Sequence, residues 1–96
     1  MKSTVETRKY DKNDLLVKII ITSFEDGVVT GIYEEEKSYD SNYNVIKVVH
    51  SEINKDISIK DRTTETRTYN SAGLLIETVT ERLSPKEIVQ LNKHGV

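Results

Sequence analysis

The stretch Glu65-Thr66-Arg67-Thr68-Tyr69-Asn70-Ser71-Ala72-Gly73-Leu74-Leu75-Ile76-Glu77 decides the fold of this chain. Its first part alternates threonine with charged or aromatic residues, and its last part is apolar. Between them, asparagine at the first position and glycine at the fourth are typical of a type I turn that ends in a left-handed residue, where glycine has no Cβ to clash. The stretch therefore predicts a β-hairpin.

The predicted turn also sets the register of the hairpin, because a turn of this kind places Asn70 opposite Leu74. The pairs that follow from it are Tyr69 with Leu75, Arg67 with Glu77 and Thr66 with Thr78. An opposite-charge pair and a threonine pair each stabilise strand pairing by roughly 0.2 to 1 kcal/mol. The turn and the cross-strand pairs thus favour the same register.

The same pattern occurs three times along the chain, with Tyr10, Tyr39 and Tyr69 at spacings of 29 and 30 residues. In this alignment the matching sets are Glu6/Glu35/Glu65, Arg8/Lys37/Arg67, Asp11/Asp40/Asn70, Leu16/Val45/Leu75 and Val17/Ile46/Ile76. A repeat of this length is one supersecondary unit. Three hairpin units predict six strands, at about 2–10, 15–24, 28–39, 45–53, 57–69 and 74–83.

The links between the units are short turn sequences, Glu25-Asp26-Gly27 and Asn54-Lys55-Asp56. Because sequential strands with such short links are neighbours, an up-and-down antiparallel meander follows. The predicted fold is mainly β, a six-stranded meander of three hairpin repeats in a curled sheet or partial barrel, with a short C-terminal helix. We expect a single domain over 1–96, with repeats at about 2–24, 28–53 and 57–83.

The turn of the middle unit differs from the others in sequence. Tyr43 stands where the third unit has its glycine, and a bulky residue with a positive φ is costly. We therefore expect a different turn there, with Asn42 or Asn44 in the left-handed conformation. In the first unit Asp14 takes that conformation more easily than most residues.

A helix of about ten residues is predicted after the last strand, at about 85–94. Ser84-Pro85-Lys86-Glu87 is a capping box with proline at the first helical position. Lys93-His94 suit the negative end of a helix, and Gly95 suits its stop. Ile88 and Leu91 form its apolar stripe, and because so short a helix is unstable alone, it must dock on the sheet or on a partner.

The predicted sheet has two partly apolar faces instead of one. With the register above, one face carries Tyr10, Leu16, Ile20, Phe24, Tyr39, Tyr69, Leu75 and Val79, and the other carries Val5, Val17, Ile19, Ile21, Ile46, Val48 and Ile76. A half-buried antiparallel sheet normally has one apolar face, and a ten-residue helix covers only part of either. Three arrangements resolve this: the sheet curls toward a barrel, two copies pack face to face as a homodimer, or a partner covers the second face.

Composition narrows the classes of function. The net charge is -2, which favours neither nucleic acid nor an anionic membrane as a partner, and cysteine is absent. Residues 1–6 lack the apolar segment of a signal peptide, and the longest apolar run, Ile19-Ile20-Ile21, is too short to span a bilayer. The expected location is the cytoplasm of a bacterial host.

The three turns resemble those of a known repeat family. Tyr69-Asn70-Ser71-Ala72-Gly73-Leu74-Leu75, with Tyr10-Asp11 and Tyr39-Asp40 upstream, resembles the tyrosine-aspartate (YD, or Rhs-type) repeat. The resemblance implies hairpins and carries no activity, cofactor or partner to this chain. A short cysteine-free chain rich in lysine, isoleucine and asparagine also resembles phage or mobile-element proteins of low-GC bacteria, including anti-defence inhibitors.

The sequence contains no recognisable catalytic pattern. His50 and His94 are its two histidines, and neither lies in an acid, base or nucleophile motif. Asp11-Lys12-Asn13-Asp14 begins like a calcium loop but lacks the downstream glycine and bidentate glutamate, so turn chemistry explains it better. We expect no enzyme, no cofactor and no metal.

The candidate partner-binding residues are Tyr10, Tyr39, Tyr69, Glu34 and Glu36. The tyrosines recur at one height on alternate strands, about 10 Å apart, where they either form a binding strip or close one end of a core. The glutamates either contact a basic surface or form a solvated edge that discourages aggregation.

The predicted function is a non-enzymatic protein-binding module. One form of it is a phage or mobile-element inhibitor of a host defence protein, such as an anti-CRISPR. The alternatives are a self-assembling structural or virion-associated phage protein and a small β domain that binds nucleic acid.

Overall fold

The computed structural model describes the backbone of residues 1–94 and the side chains of residues 1–93. The elements are β1 (Lys2–Tyr10), β2 (Leu16–Glu25), β3 (Val28–Tyr39), β4 (Val45–Ile53), β5 (Ile59–Tyr69), β6 (Leu75–Arg82) and α1 (Pro85–His94). The predicted strands and helix are therefore confirmed to within about two residues. The predicted stop at Gly95 and the role of the His94 side chain at the helix end lie outside the described part.

The six strands form one antiparallel sheet in the order β1-β2-β3-β4-β5-β6. Each strand pairs with its sequence neighbours, which confirms the meander. The sheet is open, because β1 and β6 lie at its two edges and do not pair with each other.

All three hairpins share a bulge beside the repeated tyrosine. In the third hairpin Tyr69 pairs with Leu75 as predicted, but Arg67 pairs with Thr78 and not with Glu77. The prediction for Arg67 is wrong because, next to Tyr69, two residues of β6 oppose one residue of β5, which shifts the register by one. Thr66 likewise faces Val79 instead of Thr78.

The bulge also changes which residues share a face of the sheet. Val5 pairs with Thr22, two residues from Ile20, so Val5 lies on the face of Ile20 and not on that of Ile19 as predicted. A one-residue shift moves a strand's side chains to the opposite face, so the predicted division of apolar residues between the faces is wrong in part.

The three hairpin turns have one geometry, including the middle one. Tyr43 has a φ of 64°, so the prediction that Asn42 or Asn44 would replace it in the left-handed position is wrong. The reason lies at the start of the turn, where the Asp40 carboxylate accepts hydrogen bonds from the backbone N–H groups of Asn42 and Asn44 at 2.8 and 3.0 Å. Asp14, with a φ of 62°, is left-handed as predicted.

Helix α1 begins with the predicted capping box. The Glu87 N–H donates to Ser84 Oγ at 3.2 Å, and the Ser84 N–H donates to the Glu87 carboxylate at 3.1 Å. The helix contacts β5, and Ile88 and Leu91 are half-buried there, which confirms that it docks on the sheet.

The helix protects the part of β5 that extends beyond β6. The Leu83 N–H donates to the Arg62 carbonyl at 3.0 Å, where β6 ends. Farther along, the Asn92 side chain accepts from the Ile59 N–H and donates to the Ile59 carbonyl, both at 2.8 Å. These bonds satisfy backbone groups that no strand reaches.

Little of the molecule is buried. Among the described residues, the buried apolar side chains are Val48 and Ile59, at 4% and 8% exposure. The surface area is 6996 Å², whereas a compact monomer of this mass exposes about 5,600 Å². The radius of gyration is 15.8 Å, against about 12.5 Å for a compact domain of this length. The fold is thus an extended sheet with helix α1 at one corner.

Candidate functional site

Two of the three repeated tyrosines connect their hairpin to the one before it. The Tyr39 hydroxyl donates to the Leu16 carbonyl at 2.7 Å, and the Tyr69 hydroxyl donates to the Val45 carbonyl at 2.8 Å. Both tyrosines are half-buried, so their role in the structure is to join neighbouring hairpins. Tyr10 is the third member of the row and lies on edge strand β1, where it is 56% exposed.

The predicted acidic contacts Glu34 and Glu36 form ion pairs on β3. Lys18 Nζ lies 2.9 Å from Glu34 Oε1 and 3.8 Å from Glu36 Oε1. Burial would raise the pKa of Glu34, but the hydrogen bonds with Lys18 and Glu36 outweigh it and hold this pKa below its ordinary value. Glu34 is therefore largely committed to Lys18, while Glu36 remains exposed and available to a partner.

Glu35, which stands between Glu34 and Glu36 in sequence, lies on the opposite face of the sheet, beside His50. His50 Nδ1 is 3.1 Å from Glu35 Oε1 and 2.6 Å from the Tyr33 hydroxyl. Burial, and then the Glu35 carboxylate, raise the pKa of Tyr33. Sequence reasoning placed His50 on a strand but missed its two partners, because the bulge decides which residues of β3 face it.

This cluster brings an imidazole, a phenol and a carboxylate within hydrogen-bonding distance, and it lies on an open sheet. The adjoining cavity, between β4 and β5, has a volume of about 80 Å³. Small-molecule sites measure roughly 300 to 1,000 Å³, so this cavity suits a few water molecules. In the described part of the chain, histidine and acidic side chains form no group of three that could hold a metal ion.

The two edge strands are exposed along their whole length. On β1, Val5 is 55% exposed, and Arg8 Nε lies 2.7 Å from Glu6 Oε2. On β6, Leu75, Ile76 and Val79 are exposed by 52%, 61% and 41%. Each edge therefore combines unpaired backbone groups with exposed apolar side chains, which is the arrangement that accepts another strand.

No helix within the described residues is long and apolar enough to cross a bilayer. In comparisons with known proteins, no family model matches the chain, and no curated protein or solved structure matches it. The resemblance of the turns to YD repeats therefore stays a prediction.

Proposed function

We propose that this chain is a non-enzymatic protein-binding module that acts through its open sheet. The observation that carries the proposal is the solvent-accessible area of 6996 Å², which exceeds that of a compact monomer of this mass by about 1,400 Å². One partner contributes about 800 Å² to a standard protein interface. The excess is therefore large enough to hold a partner, and the exposed edges supply backbone groups to bind it.

Within this function, the partner we propose is a host defence protein. A phage or mobile-element inhibitor, such as an anti-CRISPR, would act in the bacterial cytoplasm and needs a binding surface without catalytic machinery. Tyr10 supports this role, since an exposed tyrosine offers a large contact area at low entropic cost. Glu36 offers a charge for a basic surface, whereas Tyr39, Tyr69 and Glu34 act mainly inside the sheet.

The test is capture of a partner by the tagged chain from nuclease-treated lysate of low-GC bacteria. We expect one host protein in near-equal amount, and we expect Tyr10→Ser to reduce its capture at least fivefold, as a contact worth 1 kcal/mol or more would. Tyr43→Ser is the matched control, because Tyr43 is equally exposed at 61% but lies in a turn. Equal capture by both variants would contradict the proposed site, and capture of nothing, with no self-association, would contradict the function.

A second candidate function is self-assembly into a structural or virion-associated protein. The observation that favours it is the internal repeat, whose units join one another by the same strand pairing at each junction. The net charge of -2 does not favour the remaining alternative, nucleic-acid binding.

A further inference from the structure

The two junctions between hairpins inside the chain have an identical register. At the first junction Ile19 pairs with Glu35, and at the second the equivalent residues, Val48 and Glu65, pair. Each junction is also bridged by a tyrosine hydroxyl that donates to the carbonyl of the residue beginning the strand before it. A junction thus has two halves, an outgoing even-numbered strand and an incoming odd-numbered strand with its tyrosine.

Both halves of one further junction remain unused at the ends of the sheet. β6 is an outgoing strand with no strand on its outer side, and β1 is an incoming strand whose tyrosine hydroxyl binds no carbonyl among the described residues. Because the number of strands is even, β1 and β6 run in opposite directions. A second copy placed beside β6 would therefore continue the antiparallel meander.

We propose that the chain assembles head to tail, with β6 of one copy pairing with β1 of the next. The repeat sets the register, with Val79 opposite Val5 and the Tyr10 hydroxyl donating to the Leu75 carbonyl. This inference rests on the second proposed function, self-binding, and specifies its surface.

The side chains brought together by this register suit one another. Val79 would cover Val5, which joins two apolar side chains that are 41% and 55% exposed in the single chain. The neighbouring pairs would be Thr80 with Thr4, Thr78 with Glu6 and Ile76 with Arg8. Valine pairs and threonine pairs across strands are each stabilising.

One pair in the register joins like charges, Arg82 with Lys2, at the end of the strand. The Arg82 guanidinium already binds the Asp61 carboxylate at 2.6 Å, so its charge is offset within the chain. Helix α1 contacts β5 and bonds to Ile59 beyond the end of β6. The outer edge of β6 is therefore open to an incoming strand.

The contact is heterologous, since different surfaces of the two copies meet, and each added copy presents a new edge. Assemblies larger than a dimer are therefore expected. A two-fold dimer would instead pair β1 with β1 or β6 with β6, and the internal junctions provide no precedent for either arrangement.

Disulfide cross-linking tests the register directly, because the chain has no cysteine of its own. Val5→Cys and Val79→Cys are made separately, mixed in equal amounts and oxidised mildly. We expect the mixed disulfide to exceed each homodisulfide at least tenfold. The matched control is Val5→Cys mixed with Glu77→Cys, which lies two residues along β6 on the same face and too far from Val5 to bridge.

The outcomes decide between arrangements. Homodisulfides alone would overturn the proposal in favour of a two-fold contact, and equal cross-linking of the two mixtures would overturn the register. No cross-linking in any mixture, at protein concentrations up to the millimolar range, would overturn self-assembly itself.

Tyrosine variants test the second half of the junction. By losing one hydrogen bond between copies, Tyr10→Phe should weaken self-association by roughly two- to tenfold, with the thermal midpoint of the dilute chain unchanged. Tyr39→Phe is the control, because its hydroxyl bonds within the chain. Tyr39→Phe should lower the thermal midpoint of the dilute chain and leave the association constant unchanged. Equal effects of the two variants on self-association would contradict the role of Tyr10.

Sedimentation velocity of the double variants completes the test without relying on oxidation. Val5→Lys with Val79→Lys should stay monomeric, and Val5→Glu with Val79→Lys should restore the assemblies. A host protein captured by a chain that remains monomeric would leave the inhibitor function standing while removing this inference.

Discussion

Four turns of the chain have a left-handed residue at the same position, and in three of them that residue is not glycine. The φ angles are 62° at Asp14, 64° at Tyr43, 75° at Ile57 and 80° at Gly73. Glycine adopts this conformation without strain, whereas the left-handed backbone costs other residues roughly 1 to 2 kcal/mol in conformational free energy. The hydrogen bonds of each turn, such as the one that the Ile57 N–H donates to the Asn54 carbonyl, compensate for this cost.

Replacing Ile57 with glycine is expected to stabilise the protein. The side chain is 67% exposed, so its removal loses little packing, while the strain of a β-branched residue at positive φ is relieved. After the larger entropy of the unfolded glycine is subtracted, a gain of roughly 0.5 to 1 kcal/mol in the free energy of unfolding remains. Urea unfolding of the dilute chain measures it.

The matched control for Ile57→Gly is Gly73→Ala. A Cβ at Gly73 would meet no atom within 4 Å, so its effect reports backbone strain alone, and we expect a loss of stability of about 1 kcal/mol. A lower urea midpoint for Ile57→Gly would show that the isoleucine side chain makes a contact worth more than the strain.

The turn carboxylate Asp40 should give the protein a component of acid sensitivity. Hydrogen bonds from the backbone N–H groups of Asn44 and Asn42 lower the pKa of Asp40 in the folded state. A carboxyl with a lowered folded pKa contributes stability above its unfolded pKa and loses it as the pH falls through the folded value. This contribution therefore disappears as the pH falls below about 4.

Asp40→Asn isolates this effect, because Asn70 fills the same position in the third turn with an uncharged side chain. Relative to the variant, the native chain should lose stability between pH 5 and pH 2, as measured by urea midpoints. Asn70→Asp is the converse control and should gain acid sensitivity. If the difference in urea midpoint between the native chain and Asp40→Asn does not vary with pH, the Asp40 carboxylate is not the source of the acid sensitivity.

At the scale of elements, helix α1 is held to β5 by the Asn92 side chain. Its two hydrogen bonds satisfy the backbone of Ile59, which is 8% exposed and pairs with Ile53 on its other side. The helix thus covers one corner of the sheet. Through Asn92 it also makes the hydrogen bonds to Ile59 that a longer β6 would otherwise make.

Asn92→Ala should detach the helix from the edge of β5. It leaves two backbone groups of a buried residue without partners, at a cost of roughly 1 to 3 kcal/mol in the free energy of unfolding. Hydrogen exchange of the Ile59 amide should accelerate, while that of Val48 should change no more than the global stability does. Unchanged protection of Ile59 would contradict the anchoring role of Asn92.

At the scale of the molecule, stability should depend on protein concentration. Among the described residues the open sheet has two buried apolar side chains, Val48 and Ile59, and neither is fully covered, so pairing between copies would add burial that the single chain lacks. If free chain exceeds the dissociation constant a hundredfold, binding contributes about 2.7 kcal/mol, which raises the thermal midpoint of a chain of this length by roughly 10 to 20 °C.

Thermal scans across a thousandfold range of concentration measure this dependence. Val5→Lys with Val79→Lys is the control and should show one midpoint throughout, because its edges repel. A midpoint of the native chain that stays constant would show that the single sheet is stable alone at every concentration tested.

The sequence by itself determined the elements and their order. Turn residues such as Asn70 and Gly73 and the capping pair Ser84 and Glu87 act over three or four positions, so their chemistry is readable locally. The spacing of the tyrosines likewise revealed three equivalent hairpins. From this information the meander, the strand bounds and the helix follow.

Only the tertiary structure decided the bulges, the faces and the edge contacts. These features depend on hydrogen bonds between residues far apart in sequence, 23 positions for Tyr39 with Leu16 and 33 for Asn92 with Ile59. A bulge changes strand register by one residue and so exchanges the two faces, and no local pattern in the chain distinguishes the two registers. The candidate site was therefore recognised from sequence as a row of tyrosines, while the structure separated Tyr10, at the open edge, from the two that join hairpins.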